Sequence, residues 1–377
     1  MLIPVLTEPN LRSYIWAEQT MEGIAQEAAR RKYKVVTLNA EAYKTIDYDH
    51  LFGTERRMLI VIGTSISWMP KALAFFTAQQ IESIFISFDP AETSLPSGMV
   101  RMDYVGALHH LLTYLSVDCA RNKIALYGYN PNSSADNIKL RFFQRWKTQI
   151  DHPATEDVFY NLANLEACYN QFRQHAKRFN AVICANDIVA VSLLSMLQQD
   201  GIRVPEDLYI TAFGDSKISE LVNPPLTIAT LDHPEMGRQA VLLFSHLNKV
   251  PATASVSARV HSKLIIRAST ACIADTTTNT LPSSDADAFE NTINFYSDPE
   301  AERLLRAEML LNACDATDMQ LITGLLEGVS LNSMEQELYF TASALQYRKK
   351  RLMNLVGCSH TSEFIDFLMF CRRKHVI

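Results

Sequence analysis

Eight short runs rich in Val, Ile and Leu recur between segments of helical periodicity, and this alternation constrains the fold more than any other feature. The runs are LIPVL (2–6), KVVTL (34–38), MLIVIG (58–63), SIFISF (83–88), KIALYGY (123–129), AVICAN (181–186), LYITAFG (208–214) and LTIATL (226–231). Between them, segments 11–31, 104–116, 134–149 and 187–200 space their apolar residues three and four apart. A run that is apolar along its whole length belongs to a strand buried on both faces, and strands separated by helices pair in parallel. Two successive blocks of about 115 residues predict an α/β fold of two lobes, each built on a parallel sheet. A ligand would sit in the cleft at the carboxyl ends of the strands.

The pattern stops after KLIIRAST (263–270), and CIADTTTNTLPSSDADAFENT (272–292) has no periodicity and reads as a linker. From about 298 onward the sequence is helical, with Ser297 or Asp298 as N-cap and Pro299 in the first turn. The expected division is a binding unit at 1–272, a linker at 273–296 and a small all-α unit at 297–377. Within the binding unit, lobe one takes about 1–118 and 233–252, and lobe two about 119–230 and 255–272.

Composition excludes several classes. The N-terminus has no basic n-region, and no stretch reaches the apolar length of a membrane span, so a cytoplasmic protein that does not enter membranes is expected. The seven cysteines are scattered and form no CxxC pair, as reduced core thiols would be. GxxxxGK, GxGxxG, HExxH and GxSxG are all missing, so neither catalysis, nor a cofactor, nor a metal is expected.

Residues 184–237 carry a specific resemblance. Ala185-Asn186-Asp187 follows a strand, Gly201-Ile202-Arg203-Val204-Pro205-Glu206-Asp207 precedes another, and Pro224-Pro225-Leu226-Thr227 comes next. With Met236-Gly237-Arg238 and the closing KLIIRAST, this succession resembles the effector-binding core of LacI/GalR-type regulators, a periplasmic-binding-protein-like fold, over about 270 residues. The resemblance implies a small polar, sugar-like effector between the lobes. Asp187 starts a helix at a strand end, where its carboxylate either accepts from ligand hydroxyls or caps the helix. Asp103 matches a second cleft position, and Lys139 stands where the family carries a clamping Arg, without the bidentate fork. Tyr14 and Trp16 lie where the family places an aromatic on the ligand, although core packing is an equal use for them. Where the family often has Gly-Phe-Asp, this chain reads Ala212-Phe213-Gly214, with Asp215 one residue later. The family's N-terminal helix-turn-helix has no counterpart before the first strand at residue 2, so a DNA-binding module is expected elsewhere.

The last eighty residues offer one. DMQLITGLLEG, NSMEQELYF, ASALQYRKKRLMNL and TSEFIDFLMF read as four helices, with Gly328 ending the first. Gly328-Val329-Ser330, MEQELYFTASALQY and LVGCSHTSEF resemble in register the helix-turn-helix domain of LuxR-type regulators, over about 55 residues. Glu335 replaces a small residue, Thr361 an Arg and Lys349 an apolar residue of that pattern, while Leu345, Leu352 and Val356 keep the inward stripe. Residues 285–339 hold 12 Asp/Glu and 2 Arg, whereas 340–377 hold 7 Lys/Arg and 2 Asp/Glu, in a chain of formal net charge −6. Such polarity implies a phosphate-binding face, with Arg348, Lys350 and Arg351 on phosphates and Ser343, Gln346 and Tyr347 on base edges. A solvated helix face with a basic end explains the same charges. The expected protein is a ligand-responsive, homodimeric transcriptional regulator that binds DNA, sensor first and DNA module last. A binding protein whose C-terminal helices dock a protein partner is the competing expectation.

Overall fold

The computed structural model describes residues 1–9, 11, 15–88, 97–149, 155–250, 255–270 and 298–377. The expected linker at 273–296, Ser297 and Tyr14 lie outside the described residues. The chain opens with β1 (Leu2–Thr7), α1 (Ile15–Arg30), β2 (Lys34–Leu38), α2 (Tyr48–Phe52), β3 (Met58–Ile62), α3 (Met69–Ala78), β4 (Glu82–Ile86), β5 (Gly98–Met102) and α4 (Tyr104–Thr113). It continues through β6 (Ile124–Tyr129), α5 (Ser134–Gln149), β7 (Val158–Tyr160), α6 (Leu165–His175), β8 (Ala181–Cys184), α7 (Asp187–Gln199), β9 (Tyr209–Phe213), α8 (Lys217–Leu221) and β10 (Thr227–Ala229). The return is α9 (His233–Leu247), β11 (Val256–Val260) and β12 (Leu264–Ile265).

Two six-stranded sheets result, ordered β11-β5-β4-β3-β1-β2 and β12-β10-β9-β8-β6-β7. Every pair is parallel except β10 with β12. The central strands β3, β6, β8 and β9 are buried at every position, which is why they read as unbroken apolar runs. Three crossings join the lobes, and two fall elsewhere than expected. Ala107, Leu108 and Leu111 of α4 pack with Leu126 and Phe213, so the chain enters the second lobe just after β5, not near residue 118. β11 pairs with β5 along Val256–Val260, so 256–260 belongs to the first lobe's sheet and only β12 joins the second. Strands as short as β7 and β12 carry too few residues for a periodicity to show.

Five helices follow: α10 (Pro299–Ala313), α11 (Ala316–Leu326), α12 (Leu331–Leu338), α13 (Ala342–Leu355) and α14 (Thr361–Arg373). Asp298 caps α10, Ser330 caps α12 and Thr341 caps α13, while Gly328 leaves α11 with a φ of +76°. These helices are not the free-standing unit that a linker leads one to expect. Leu304, Leu310, Leu352, Phe364 and Leu368 share one apolar cluster with Val189, Leu193 and Ile218 of the second lobe. Polar anchors fix the same contact. Asp298 Oδ2 accepts from Leu165 N at the start of α6, and Glu308 accepts from Lys217 N and Ile218 N at the start of α8 (3.0 and 2.9 Å). Each carboxylate meets helix N–H groups that have no partner within their own helix.

Candidate functional site: the interlobe cleft

The carboxyl ends of both sheets face a cavity of about 220 Å³. Parallel strands place all their loops at this end, and the following helices begin there, so their first N–H groups point inward. Glu8, just past β1, lines it from the first lobe and accepts from Thr64 N (2.9 Å) and Ser65 N (3.2 Å). Burial raises its carboxyl above the usual range. Trp16, in the first turn of α1, forms an aromatic wall with His233 of α9, the ring centroids 5.7 Å apart. Burial pushes His233 down to about 4, so the ring is neutral near pH 7.

The second lobe supplies Asp187 and its support. Asn186, not Asp187, caps α7 by accepting from Val189 N, and this leaves Asp187 as the first helical residue. Its Oδ1 accepts from Ile188 N (2.9 Å) and its Oδ2 from Ser216 N (3.0 Å), with the carboxylate in the cavity wall. Burial, with a contribution from the charge of Glu308, raises Asp187 to about 6. Gly214 makes room for this arrangement. A Cβ there would stand 2.2 Å from Asp187 Oδ2, and the backbone holds φ at +143°. In this backbone conformation a side chain at 214 collides with Asp187, so Gly214 and the placement of Asp187 go together. Asp215 is displaced to the exposed mouth of the cavity, where partial desolvation raises its carboxyl.

Two of the expected cleft residues do other work. Asp103 is not among the lining residues; it caps α4 by accepting from Gly106 N (3.1 Å) and stands 3.7 Å from Arg259. Its spacing from β5 looked right, but the chain turns into α4 there and the helix N-terminus claims the carboxylate. Lys139 lines the cavity yet is spent internally. Its ammonium lies 2.7 Å from Asp136 Oδ1, donates to Ala185 O at 2.8 Å and sits 4.4 Å from the Phe213 ring centre. A lysine only 2% exposed must find such partners, and its charge is matched within the second lobe.

Sequence reasoning missed Glu8, His233 and Glu308, together with Leu305, all of which line the cavity. Glu8 and His233 each follow a strand end, a signal that was present in the sequence. Nothing in the α10 sequence marks Leu305 and Glu308, because only docking brings α10 to the cleft.

At the C-terminal helices, Leu345, Leu352 and Val356 are buried, and Ser343, Gln346, Tyr347 and Lys350 are exposed. Arg348 is half-buried and Arg351 exposed, and both carry carboxylate partners. Arg348 pairs with Asp315 (2.9 Å) and Asp318 (2.8 Å), and Arg351 pairs with Asp318, which is fully buried. Two carboxylates of the acidic stretch thus pair with two of the four cations of α13, across α11 and α13. Glu335, which replaces a small residue, accepts from Ala342 N at the start of α13. Lys349 donates to Thr361 Oγ1 at 3.3 Å, so two of the three departures from the helix-turn-helix pattern meet one another.

Two sheets with a cleft at their carboxyl ends, joined by three crossings, define a two-lobed binding protein of periplasmic type. The family described as periplasmic binding protein-like domain matches residues 120–270. The HTH-type transcriptional repressor PurR of Vibrio cholerae serotype O1 (strain M66-2) is 41% identical over 233 residues, covering 60% of this chain and 68% of that protein. The chain belongs to the LacI/GalR-type family of regulators with a periplasmic-binding-protein-like effector-binding domain. Of several other curated relatives it spans less than two thirds of the length. Among solved structures, the transcriptional regulator CelR–cellobiose complex superposes with a TM-score of 0.60 at 18% identity, over 71% of this chain and 84% of that one. The lac repressor dimer bound to operator and an anti-inducer superposes with 0.59 at 20% identity, over 71% and 93%. These likenesses reach the end of the second lobe in extent and show the fold.

Proposed function

We propose that the protein is a ligand-responsive, DNA-binding transcriptional regulator that takes a small polar effector in the interlobe cleft through Trp16, Asp187 and Asp215. The observation that carries this reading is the cleft itself: backbone-anchored carboxylates and an aromatic wall face each other across two lobes of a regulator family. One relative is bound to operator and another to cellobiose, which supports both halves of the reading. The C-terminal helices are the proposed DNA-binding unit, resembling LuxR-type domains, with Ser343, Gln346, Tyr347 and Lys350 outward. Two such units are needed for two half-sites, so the acting species is proposed to be a homodimer. A thermal-shift screen of sugars tests the cleft, because an occupied cleft raises apparent stability by mass action. Gel shifts with the gene's own upstream region test the DNA unit, with Lys350→Ala expected to weaken binding and to reduce its salt dependence. Light scattering that finds a monomer with and without DNA overturns the dimer.

A second reading is favoured by one observation, the pairing of Arg348 and Arg351 with Asp315 and Asp318. A basic helix already neutralised in part suits docking of a protein partner. Gel shifts unchanged by Lys350→Ala, Gln346→Ala and Tyr347→Ala together would favour it.

A further inference from the structure

We propose that the cleft takes a ligand carrying a cationic amine on a polyhydroxylated frame, and that Glu308, supplied by the C-terminal helices, is one of the carboxylates that recognise it. This rests on the reading of the cleft as the effector site and names the chemistry of its occupant.

Charge is the first observation. Five carboxylates line the cavity, Glu8, Asp136, Asp187, Asp215 and Glu308, against one lysine and no arginine. Lys139 is neutralised by Asp136 at 2.7 Å, which leaves four carboxylates facing the cavity. Glu8, Asp187, Asp215 and Glu308 have no ion pair among the described residues, and Arg267, the cation acting on Asp215, is paired with Glu220 at 2.7 Å. Backbone N–H groups use one lone pair on each Asp187 oxygen and on Glu308 Oε2, while Glu308 Oε1 accepts from both Lys217 N and Asn312 Nδ2 (2.7 Å), so the Asp187 oxygens and Glu308 Oε2 can accept further donors. Buried carboxylates held in place without a counter-charge are costly, and a bound cation removes that cost. The same field repels phosphate esters and sugar acids.

The second observation is independent of charge. His233 Nδ1 is buried at the cavity wall without a hydrogen-bond partner among the described residues. A neutral imidazole there accepts an N–H from the ligand, and the adjoining Trp16 ring offers its face to a cation or to the C–H face of a sugar. Asn130, Asn132 and Asn186 line the same cavity and suit hydroxyls. Because Glu308 belongs to α10 and also holds the first N–H groups of α8, a ligand that engages it acts directly on the contact between the C-terminal helices and the second lobe.

The test compares probes that share a frame and differ in charge: D-glucosamine, D-glucose and D-glucose 6-phosphate, each titrated at millimolar concentration into the full chain while its melting temperature is followed. The expected result is that D-glucosamine binds at least about tenfold more tightly than D-glucose, with no shift from the phosphate. A shift with D-glucose equal to or larger than that with D-glucosamine overturns the proposal and leaves the cleft reading standing. A shift with the phosphate also overturns it. No shift with any of the three removes both the proposal and the cleft reading. Glu308→Gln, which keeps one carbonyl oxygen for the α8 amides, is expected to weaken D-glucosamine about tenfold and D-glucose far less. Equal losses for both probes make Glu308 a structural anchor only and overturn its part. Asp215→Asn at the exposed mouth serves where Glu308→Gln fails to fold: selective loss of D-glucosamine binding supports the charge argument, and equal affinity for D-glucosamine before and after the change counts against it.

Discussion

At the residue scale, Gly214 and Asp187 form one steric unit. Gly214→Ala adds a Cβ 2.2 Å from Asp187 Oδ2 at a φ of +143°, and is expected to cost about 2–4 kcal/mol in urea denaturation. Asp187 and His233 make opposing contributions to the dependence of stability on pH. Asp187 rises from 3.8 in the unfolded chain to about 6, so the folded state holds its proton more tightly. The stability this brings is present below pH 3.8 and lost as pH rises to 6, amounting to about 3 kcal/mol. His233 falls from 6.5 to about 4, so its contribution is present above pH 6.5 and lost as pH falls through 4. The two slopes cancel in part between pH 4 and 6. His233→Gln should therefore expose a stability that falls with rising pH in this window, and Asp187→Asn one that rises. Denaturant midpoints measured at several pH values check both signs. The Ala-Phe-Gly departure was legible as a difference in the sequence, but the close approach of Gly214 to Asp187 was not, because α7 and β9 separate the two residues along the chain.

At the element scale, α10 is held by its ends and its middle. Asp298 joins it to α6 and Glu308 joins it to α8, and Arg306 donates to Val356 O after α13. Glu308→Ala leaves two buried N–H groups without an acceptor and is expected to cost about 2–4 kcal/mol. Hydrogen exchange should quicken in α8 and α10 together; quickening in α10 alone speaks against the anchor. The Asp318 pairings make a second expectation for these helices. Asp318→Asn releases Arg351 and leaves Arg348 on Asp315 alone, so non-specific DNA affinity should rise at low salt with a steeper salt slope, measured by anisotropy at several salt concentrations. Strand existence was readable wherever a strand is buried on both faces, as in β3, β6, β8 and β9. It was not readable in β7, an edge strand of three residues, nor in β5, where GMVRM breaks the apolar run with an arginine. Cap residues such as Asp298, Ser330 and Thr341 carry their own local chemistry and made helix starts legible, whereas at α7 the sequence pointed to Asp187 and the cap is Asn186.

At the scale of the whole molecule, the C-terminal helices and the second lobe share one core. Deleting residues 298–377 uncovers the apolar face that Val189, Leu193 and Ile218 present to α10. The shortened chain is expected to melt at a lower temperature and to aggregate, where an independent domain would leave the first 270 residues unchanged; calorimetry on both chains decides. No helix among the described residues is long and apolar enough to cross a membrane. Through Leu305 and Glu308, α10 lines the cleft, and it also packs against α13, so one helix touches both the cleft and the basic helix.

The sequence by itself determined the two parallel sheets, the helix starts and the place of the cleft, because burial on both faces, caps and strand ends are local properties of a few neighbouring residues. Tertiary structure decided which charges are free. Lys139, Arg348, Arg351 and Asp103 all looked available along the chain and are all taken by partners, whereas Glu308 looked like one more surface carboxylate and stands in the cleft wall. The value of a charge depends on what lies within a few ångströms of it, and for these residues the neighbours that matter include strand ends and other helices that the linear sequence does not mark as adjacent.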